Sequence, residues 1–225
     1  MKRITVLLAD DHQIVREGFR SLLKHETDIV VVGEAETGRQ AVQLVRKLRP
    51  AVVVMDIAMP LLNGLEATRQ IRKAVPGTRV LILSAHSDDP YVEQAAAMGA
   101  AGFLLKQTSS HVLAQAIREV EKGKTFFSPA VAERVQDRRK KSLDRAGKVK
   151  RKTNRLSSRE VEVLQLIAEG KANKQVAAEL GVSFKTVDKH RQHLMSKLDI
   201  HDIAGLTRYA IAEGIVESTV RLTIT

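Results

Sequence analysis

Two successive aspartates, Asp10 and Asp11, follow the apolar run Ile4–Ala9, and a third, Asp56, follows the run at residues 51–55. Ser84 comes directly after the run at residues 79–83, and Lys106 directly after Gly102–Leu105. Three carboxylates gathered at one point repel one another and raise each other's pKa unless a cation intervenes. Mg²⁺ suits such a set, because it takes one or two carboxylates while keeping waters and substrate phosphate oxygens. Asp56 can then act as a nucleophile towards a phosphoryl group. Lys106 offers a point charge to a phosphate oxygen, and Ser84 offers a hydroxyl donor. Each residue alone has a plainer explanation: Asp11 or Asp56 as a helix N-cap, Lys106 as a solvated loop lysine, Ser84 as a loop hydroxyl. Joint placement at four strand ends favours chemistry.

A second group lies near the end of the chain. Gly181-Val182-Ser183 joins two short helical patterns, the arrangement of a helix-turn-helix. The outer face of the second helix shows Lys185, Lys189, Gln192 and Lys197, with Arg191 and His193 nearby. Lys can contact guanine edges and Gln can pair with adenine. Lys174, Thr186 and the helix amino terminus suit phosphates. The plainer alternative is an αα-hairpin in a small helical bundle. The charge from residue 156 to 225 is 9 basic against 9 acidic, so placement rather than bulk charge carries the argument.

The elements that must position the carboxylates alternate. Strand-like runs at residues 4–9, 29–33, 51–55, 79–83 and 102–105 alternate with helical patterns at 13–24, 38–48, 64–73, 90–98 and 109–122. The first of these helices has Val15, Phe19, Leu22 and Leu23 as its apolar set. The strands are continuous apolar runs, which indicates burial on both faces of a parallel sheet. Five such units predict a doubly wound, flavodoxin-like α/β domain with its site at the carboxyl ends of the strands. There the first and third strands are neighbours at the switch point, which brings Asp10, Asp11 and Asp56 into one crevice. From Leu156 onward four helices are expected, at 158–168, 173–180, 184–198 and 202–213. Ser157 and Glu160 form a capping box, with Leu156 stapled onto Val161. Val161, Leu164, Ile167 and Ala168 supply one apolar face of the first, and Val187, Leu194 and Leu198 the inner face of the third.

Composition narrows the function classes. The 225 residues contain no Cys, which removes disulfides, thiolate metal sites and cysteine nucleophiles and fits a reducing compartment. No apolar stretch approaches the roughly 20 residues of a membrane helix, and the start is a poor signal peptide, so a cytoplasmic protein is expected. Of the net charge of +11, residues 134–155 carry +9, from 11 basic and 2 acidic side chains. A polyanion partner or a solvated tether both explain this stretch. The domains are therefore expected at 2–122 and 153–217. A basic linker at 123–152 (with a short helix possible at 129–136) joins them, and the tail is 218–225.

Residues from about 2 to 122 resemble the receiver domain of two-component response regulators. The resemblance rests on Asp10-Asp11, on the run from Met55 to Pro60 with Asn63-Gly64, on Ser84-Ala85, and on Phe103-Leu104-Leu105-Lys106. It implies that Asp56 accepts phosphate from a sensor histidine kinase. It also implies that Asp11, Asp56 and the Ala58 carbonyl bind Mg²⁺, with Asp10 acting through water. Ser84 then moves to the phosphate and Phe103 fills the vacated space as the switch aromatic. Many receivers have Tyr at that position, and Phe cannot donate a hydrogen bond. Gln107 stands where Pro is frequent, leaving the geometry of the Lys106–Gln107 bond open. His86, near the expected phosphate, is either a solvated loop residue or a modulator of phosphate hydrolysis. Residues 153–215 resemble the LuxR-type DNA-binding domain, through Leu156-Ser157-Ser158-Arg159-Glu160, Asn173-Lys174, Thr186-Val187 and Lys197-Leu198 among others. This implies that the helix from Ser183 enters the major groove, with Asp188, Lys189 and Gln192 towards the bases. Asp188 stands where Lys is frequent. Its carboxylate would repel phosphate but can accept from cytosine. His190 is expected to pack in the core.

Together the two parts resemble NarL/FixJ-type response regulators, which implies a DNA-binding protein that forms homodimers and is not an enzyme. Two rivals stand beside this reading. One is a transcription factor whose receiver answers another ligand or protein without phosphorylation. The other is a flavodoxin-like enzyme, against which stands the lack of a Gly-rich loop after the first strand.

Overall fold

The computed structural model describes residues 3–85, 89–127 and 156–216, with the backbone alone for Asp89 and Pro90. The expected linker helix, the charged run Arg138-Arg139-Lys140-Lys141, His86 and the tail lie outside the described residues. The chain divides into two compact units, Met1–Arg151 and Lys152–Thr225.

In the first unit β1 (Ile4–Ala9), β2 (Ile29–Ala35), β3 (Val52–Asp56), β4 (Arg79–Ser84) and β5 (Gly102–Leu105) alternate with five helices. These are α1 (Gln13–Lys24), α2 (Gly38–Leu48), α3 (Gly64–Ala74), α4 (Asp89–Met98) and α5 (Ser110–Glu121). The strands form one parallel sheet in the order β2-β1-β3-β4-β5. Successive side chains of a strand point to opposite faces, and each face is covered. Leu7, Val53, Met55, Val80 and Ile82 join residues of α2, α3 and α4 in one core. Val6, Leu8, Val52, Val54, Leu81 and Leu83 join Phe19 and Leu23 of α1 and Leu113, Ile117 and Val120 of α5 in the other.

Three departures from the sequence expectation bear on the site. β2 continues past Gly33 to Ala35, because a bulge opposite Val6 and Leu7 absorbs one extra residue and lets pairing resume. β3 is shifted by one, so Asp56 is the last residue of the strand itself. On α1 the inward positions are Arg16, Phe19 and Leu23, whereas Leu22 is 39% exposed and Val15 half-buried. A charged residue thus occupies a turn of the core-facing stripe.

The far edge of β5 is also covered. Phe126 makes a parallel bridge to Gly102, donating its N–H to Ala101 O and accepting from Phe103 N. No strand was expected there, since a single bridging residue has no periodicity.

The second unit holds α6 (Ser158–Ala168), α7 (Asn173–Leu180), α8 (Phe184–Leu198) and α9 (Ile203–Ala212). The capping box is present: Glu160 N donates to Ser157 Oγ at 3.3 Å and Ser157 N to Glu160 Oε2 at 2.7 Å. Helix α6 packs against α7, α8 and α9, so its buried surface is wider than the single face expected. Val163 and Leu166 are fully buried, while Val161 and Ala168 are half-buried. Among the described residues no helix is long and apolar enough to cross a membrane.

Candidate phosphoacceptor site and nucleic-acid interface

The carboxyl ends of β1 and β3 lie side by side in the sheet, with Ala9 paired to Met55. Side-chain ligand atoms of Asp10, Asp11, His12 and Asp56 consequently lie within 4.8 Å of one another. Asp10 and Asp56 are buried; Asp11 and His12 are exposed at the mouth. Asp56 is 3% exposed, and its Oδ1 accepts from Ile57 N at 2.8 Å. Its Oδ2 is buried and lies 2.9 Å from Lys106 Nζ, so the ammonium is its close charged neighbour. Lys106 Nζ also lies 2.8 Å from Asp10 Oδ2, bridging two carboxylates that would otherwise repel.

Electrostatics follow from this arrangement. Burial, and then the Asp10 carboxylate, push the Asp56 pKa up to about 6, although the Lys106 ammonium pulls the other way. Burial works against the Lys106 charge, but Asp56 and Asp10 outweigh it and hold its pKa above the ordinary lysine value. A buried carboxylate held ionised at a cost, beside a second carboxylate, is disposed to accept a cation or an electrophile. The oxygen donors suit a hard ion such as Mg²⁺.

The surrounding elements hold this geometry. Gly64 opens α3 with its N–H on Ile57 O at 2.8 Å, and a Cβ there would overlap the Asp56 carbonyl oxygen. Ser84, 3% exposed, ends β4, and its carbonyl accepts from Lys106 N at 2.8 Å, tying the two strand ends together. Phe103 is half-buried against the first core. Ala58 is half-buried in the loop after β3. No cis peptide bond occurs among the described residues.

Sequence reasoning missed two residues here. His12 Nδ1 lies 2.8 Å from Asp11 Oδ1 and 3.3 Å from Asp10 Oδ1. Arg16 donates to the Asp10 carbonyl oxygen at 2.8 Å. Its charge within an otherwise apolar stripe was the available signal.

In the second unit α7, the turn at Gly181 (φ 62°) and α8 form a helix-turn-helix. Ser183 caps α8, accepting from Thr186 N. Val187 and Leu194 are buried, and Leu198 half-buried. Lys174, Lys185, Lys189, Gln192 and His193 are exposed; Thr186, Asp188, His190 and Arg191 are half-buried. Gln192 Nε2 donates to Asp188 Oδ2 at 3.1 Å. Two positions differ from expectation. Lys197 is exposed, yet its ammonium is committed to α6, donating to Glu160 Oε2 at 2.7 Å. Arg191 gives one guanidinium nitrogen to Asn173 Oδ1 at 3.1 Å. Both partners lie far away in sequence, where helical periodicity carries no information.

A parallel-sheet domain with a buried aspartate between a carboxylate pair and a lysine, followed by a helix-turn-helix, defines the class of two-part response regulators. Comparison with known proteins agrees. Residues 6–118 match the response regulator receiver domain model, and residues 154–210 the model of bacterial regulatory proteins of the luxR family. Response regulator protein VraR of Staphylococcus aureus (strain NCTC 8325 / PS 47) is 35% identical over 214 residues, covering 95% of this chain and 99% of that protein. A two-component response regulator of the LuxR family from Aurantimonas sp. SI85-9A1 matches with TM-score 0.56 and 36% identity over 61% of this chain and 99% of that one. RcsB from Salmonella enterica serovar Typhimurium, bound to promoter rprA in the presence of the phosphomimetic BeF3−, matches with TM-score 0.57 and 25% identity. That match covers 92% of this chain and 98% of that one. The chain belongs to the response regulator family with a receiver and a LuxR-type helix-turn-helix, the NarL/FixJ type.

Proposed function

We propose that phosphorylation of Asp56 by a sensor histidine kinase, with Mg²⁺, controls dimerisation and transcriptional regulation through the C-terminal helix-turn-helix. The observation that carries this reading is the Asp56 carboxylate, buried among Asp10, Asp11 and Lys106, with the acidic ligand atoms within 4.8 Å of one another and the ammonium 2.9 Å from Asp56 Oδ2. Asp10, Asp11, Asp56 and the Ala58 carbonyl would hold the ion, which supplies positive charge to the phosphoryl oxygens.

Asp56 Oδ2 attacks phosphorus as the bond to the donor's imidazole nitrogen breaks, and the imidazole leaves with the bonding pair and takes up a proton. Lys106 turns its ammonium from the Asp56 carboxylate to a phosphoryl oxygen. Ser84 donates its hydroxyl to another, and Phe103 moves into the space released. The new charge and acceptor oxygens thereby bias a packed element between two arrangements.

On DNA, Lys189 and Gln192 read base edges with Asp188, which holds one amide hydrogen of Gln192 and leaves its carbonyl and second hydrogen free to meet adenine. Lys174, Lys185, Thr186 and the uncommitted donors of Arg191 meet phosphates. Support for a DNA partner and a phosphate signal comes from the RcsB relative, captured on a promoter with a phosphomimetic. A protein reading chromosomal DNA acts in the cytoplasm of a bacterium.

The test is intact-mass spectrometry after acetyl phosphate and Mg²⁺, paired with footprinting on genomic fragments. The expected result is one added phosphoryl group and stronger protection, both lost in Asp56→Asn. Unmodified wild-type protein would overturn the reading.

A further inference from the structure

We propose that Arg16 is a positioning residue for the acidic site, setting the orientation of both Asp10 and Asp11 through the peptide that joins them. The inference rests on the Mg²⁺-dependent phosphoacceptor reading above and names a residue on which that site depends.

Arg16 lies on the inner face of α1, 6% exposed, at a helical position otherwise filled by Phe19 and Leu23. A buried guanidinium is expensive, and an apolar side chain of similar volume is often as good or better for stability. Its presence there calls for a use. All three of its nitrogens are engaged. Nη1 donates to the Asp10 carbonyl oxygen at 2.8 Å, Nη2 to Glu36 Oε1 at 2.9 Å and Nε to Glu34 Oε2 at 3.3 Å. Glu34 is held in turn by Arg20 at 3.2 Å. Glu34 sits in β2, paired with Leu8 of β1, and Glu36 directly follows that strand, so one of the two carboxylates anchoring Arg16 belongs to the sheet itself.

The bond to the Asp10 carbonyl matters because of which carbonyl it is. That oxygen belongs to the peptide plane linking Asp10 to Asp11, from which both carboxylates hang. The plane is clamped from one side by Arg16. Just before it, Asp10 N donates to Ala35 O at 3.1 Å. Just after it, His12 N donates to Asp10 Oδ1 at 2.9 Å. With these three bonds the turn leaving β1 can aim one carboxylate at Lys106 and Asp56 and the other at the mouth. Outer-shell partners that orient metal ligands typically change metal affinity by about 10–100-fold when removed, and Arg16 acts one step further back, on the backbone that carries both ligands.

Three full-length variants test this, with Mg²⁺ alone as the titrant in calorimetry and acetyl phosphate labelling as the second readout. Arg16→Met removes every donor. Arg16→Lys keeps the charge but offers one nitrogen in place of the planar three-nitrogen fork, so it cannot reach the Asp10 carbonyl, Glu34 and Glu36 in the same geometry. Glu36→Gln keeps the guanidinium and weakens one tether. Arg16→Met is expected to raise the Mg²⁺ dissociation constant about tenfold or more, with Arg16→Lys intermediate and Glu36→Gln smaller. The Mg²⁺ concentration giving half-maximal labelling should rise in the same order, while saturating Mg²⁺ restores much of the rate. A purely structural role would lower the melting temperature without moving that concentration. If Arg16→Met does not fold, the Lys variant decides. A folded variant, Met or Lys, with the wild-type Mg²⁺ affinity overturns the proposal. Wild-type protein that takes up no Mg²⁺ at all would instead sink the phosphoacceptor reading on which it stands.

Discussion

Replacing Asp56 by Asn removes a charge that the folded receiver holds at a cost. The carboxyl has an ordinary pKa of 3.8 and is pushed to about 6 in the fold by burial and by Asp10. The folded state therefore binds this proton more tightly than the unfolded chain does. The sign follows: the penalty is absent below about pH 3.8, grows between there and pH 6, and is complete above it. Each pKa unit is worth about 1.36 kcal/mol. Near pH 7.5, in EDTA, the ionised group then destabilises the receiver by about 3 kcal/mol, and near pH 4.5 by about 1. Asp56→Asn does not titrate and keeps Lys106 paired with Asp10 at 2.8 Å. Its stability gain over wild type should thus grow by about 2 kcal/mol between those two pH values. Urea denaturation of residues 1–127, followed by far-ultraviolet circular dichroism at both pH values, measures this. Mg²⁺ should stabilise the wild type and leave the variant unchanged. A variant no more stable than wild type at pH 7.5, or a difference independent of pH, would refute the account of a strained, buried carboxylate.

Three further outcomes follow from the same geometry. Gly64→Ala forces a methyl group into the Asp56 carbonyl and should cost about 1–3 kcal/mol or more, visible as a lowered melting temperature together with weakened Mg²⁺ binding. Lys197→Met leaves the Glu160 carboxylate, 4% exposed, without its cation and should destabilise the helical unit by about 1–3 kcal/mol. Burial opposes the Glu160 charge, but Lys197 and Ser157 hold its pKa below the ordinary value. The loss should therefore be present near neutral pH and fade as acid protonates Glu160, which a double-mutant cycle with Glu160→Gln at two pH values checks. Lys189→Ala or Gln192→Ala should lose about 1–3 kcal/mol on a cognate site and relax base preference, whereas Lys185→Ala should lower the salt slope of binding by about 1 on any sequence; titrations on cognate and scrambled duplexes separate the two.

Much of the molecule is written locally. Continuous apolar runs separated by amphipathic segments specify buried parallel strands and covering helices, and the capping box at Ser157 needs only four residues to state. The rule that a doubly wound sheet binds at its switch point then places Asp10, Asp11 and Asp56 together before any coordinates exist, and ligand atoms of all three lie within 4.8 Å. The helix-turn-helix is legible for the same reason, because Gly181 and Ser183 punctuate it in sequence.

Tertiary structure decided the partners. That Lys106 bridges Asp10 and Asp56, that Arg16 turns inward to the Asp10 carbonyl, and that Lys197 reaches Glu160 while Arg191 reaches Asn173 are all relations between distant positions. Periodicity reports which face of a helix is apolar. It does not report which charged side chain replaces an apolar one on that face, because the compensating groups arrive from other elements only when the sheet and helices pack. The bridge of Phe126 to β5 is of the same kind: a strand one residue long exists only because an open sheet edge lies beside it.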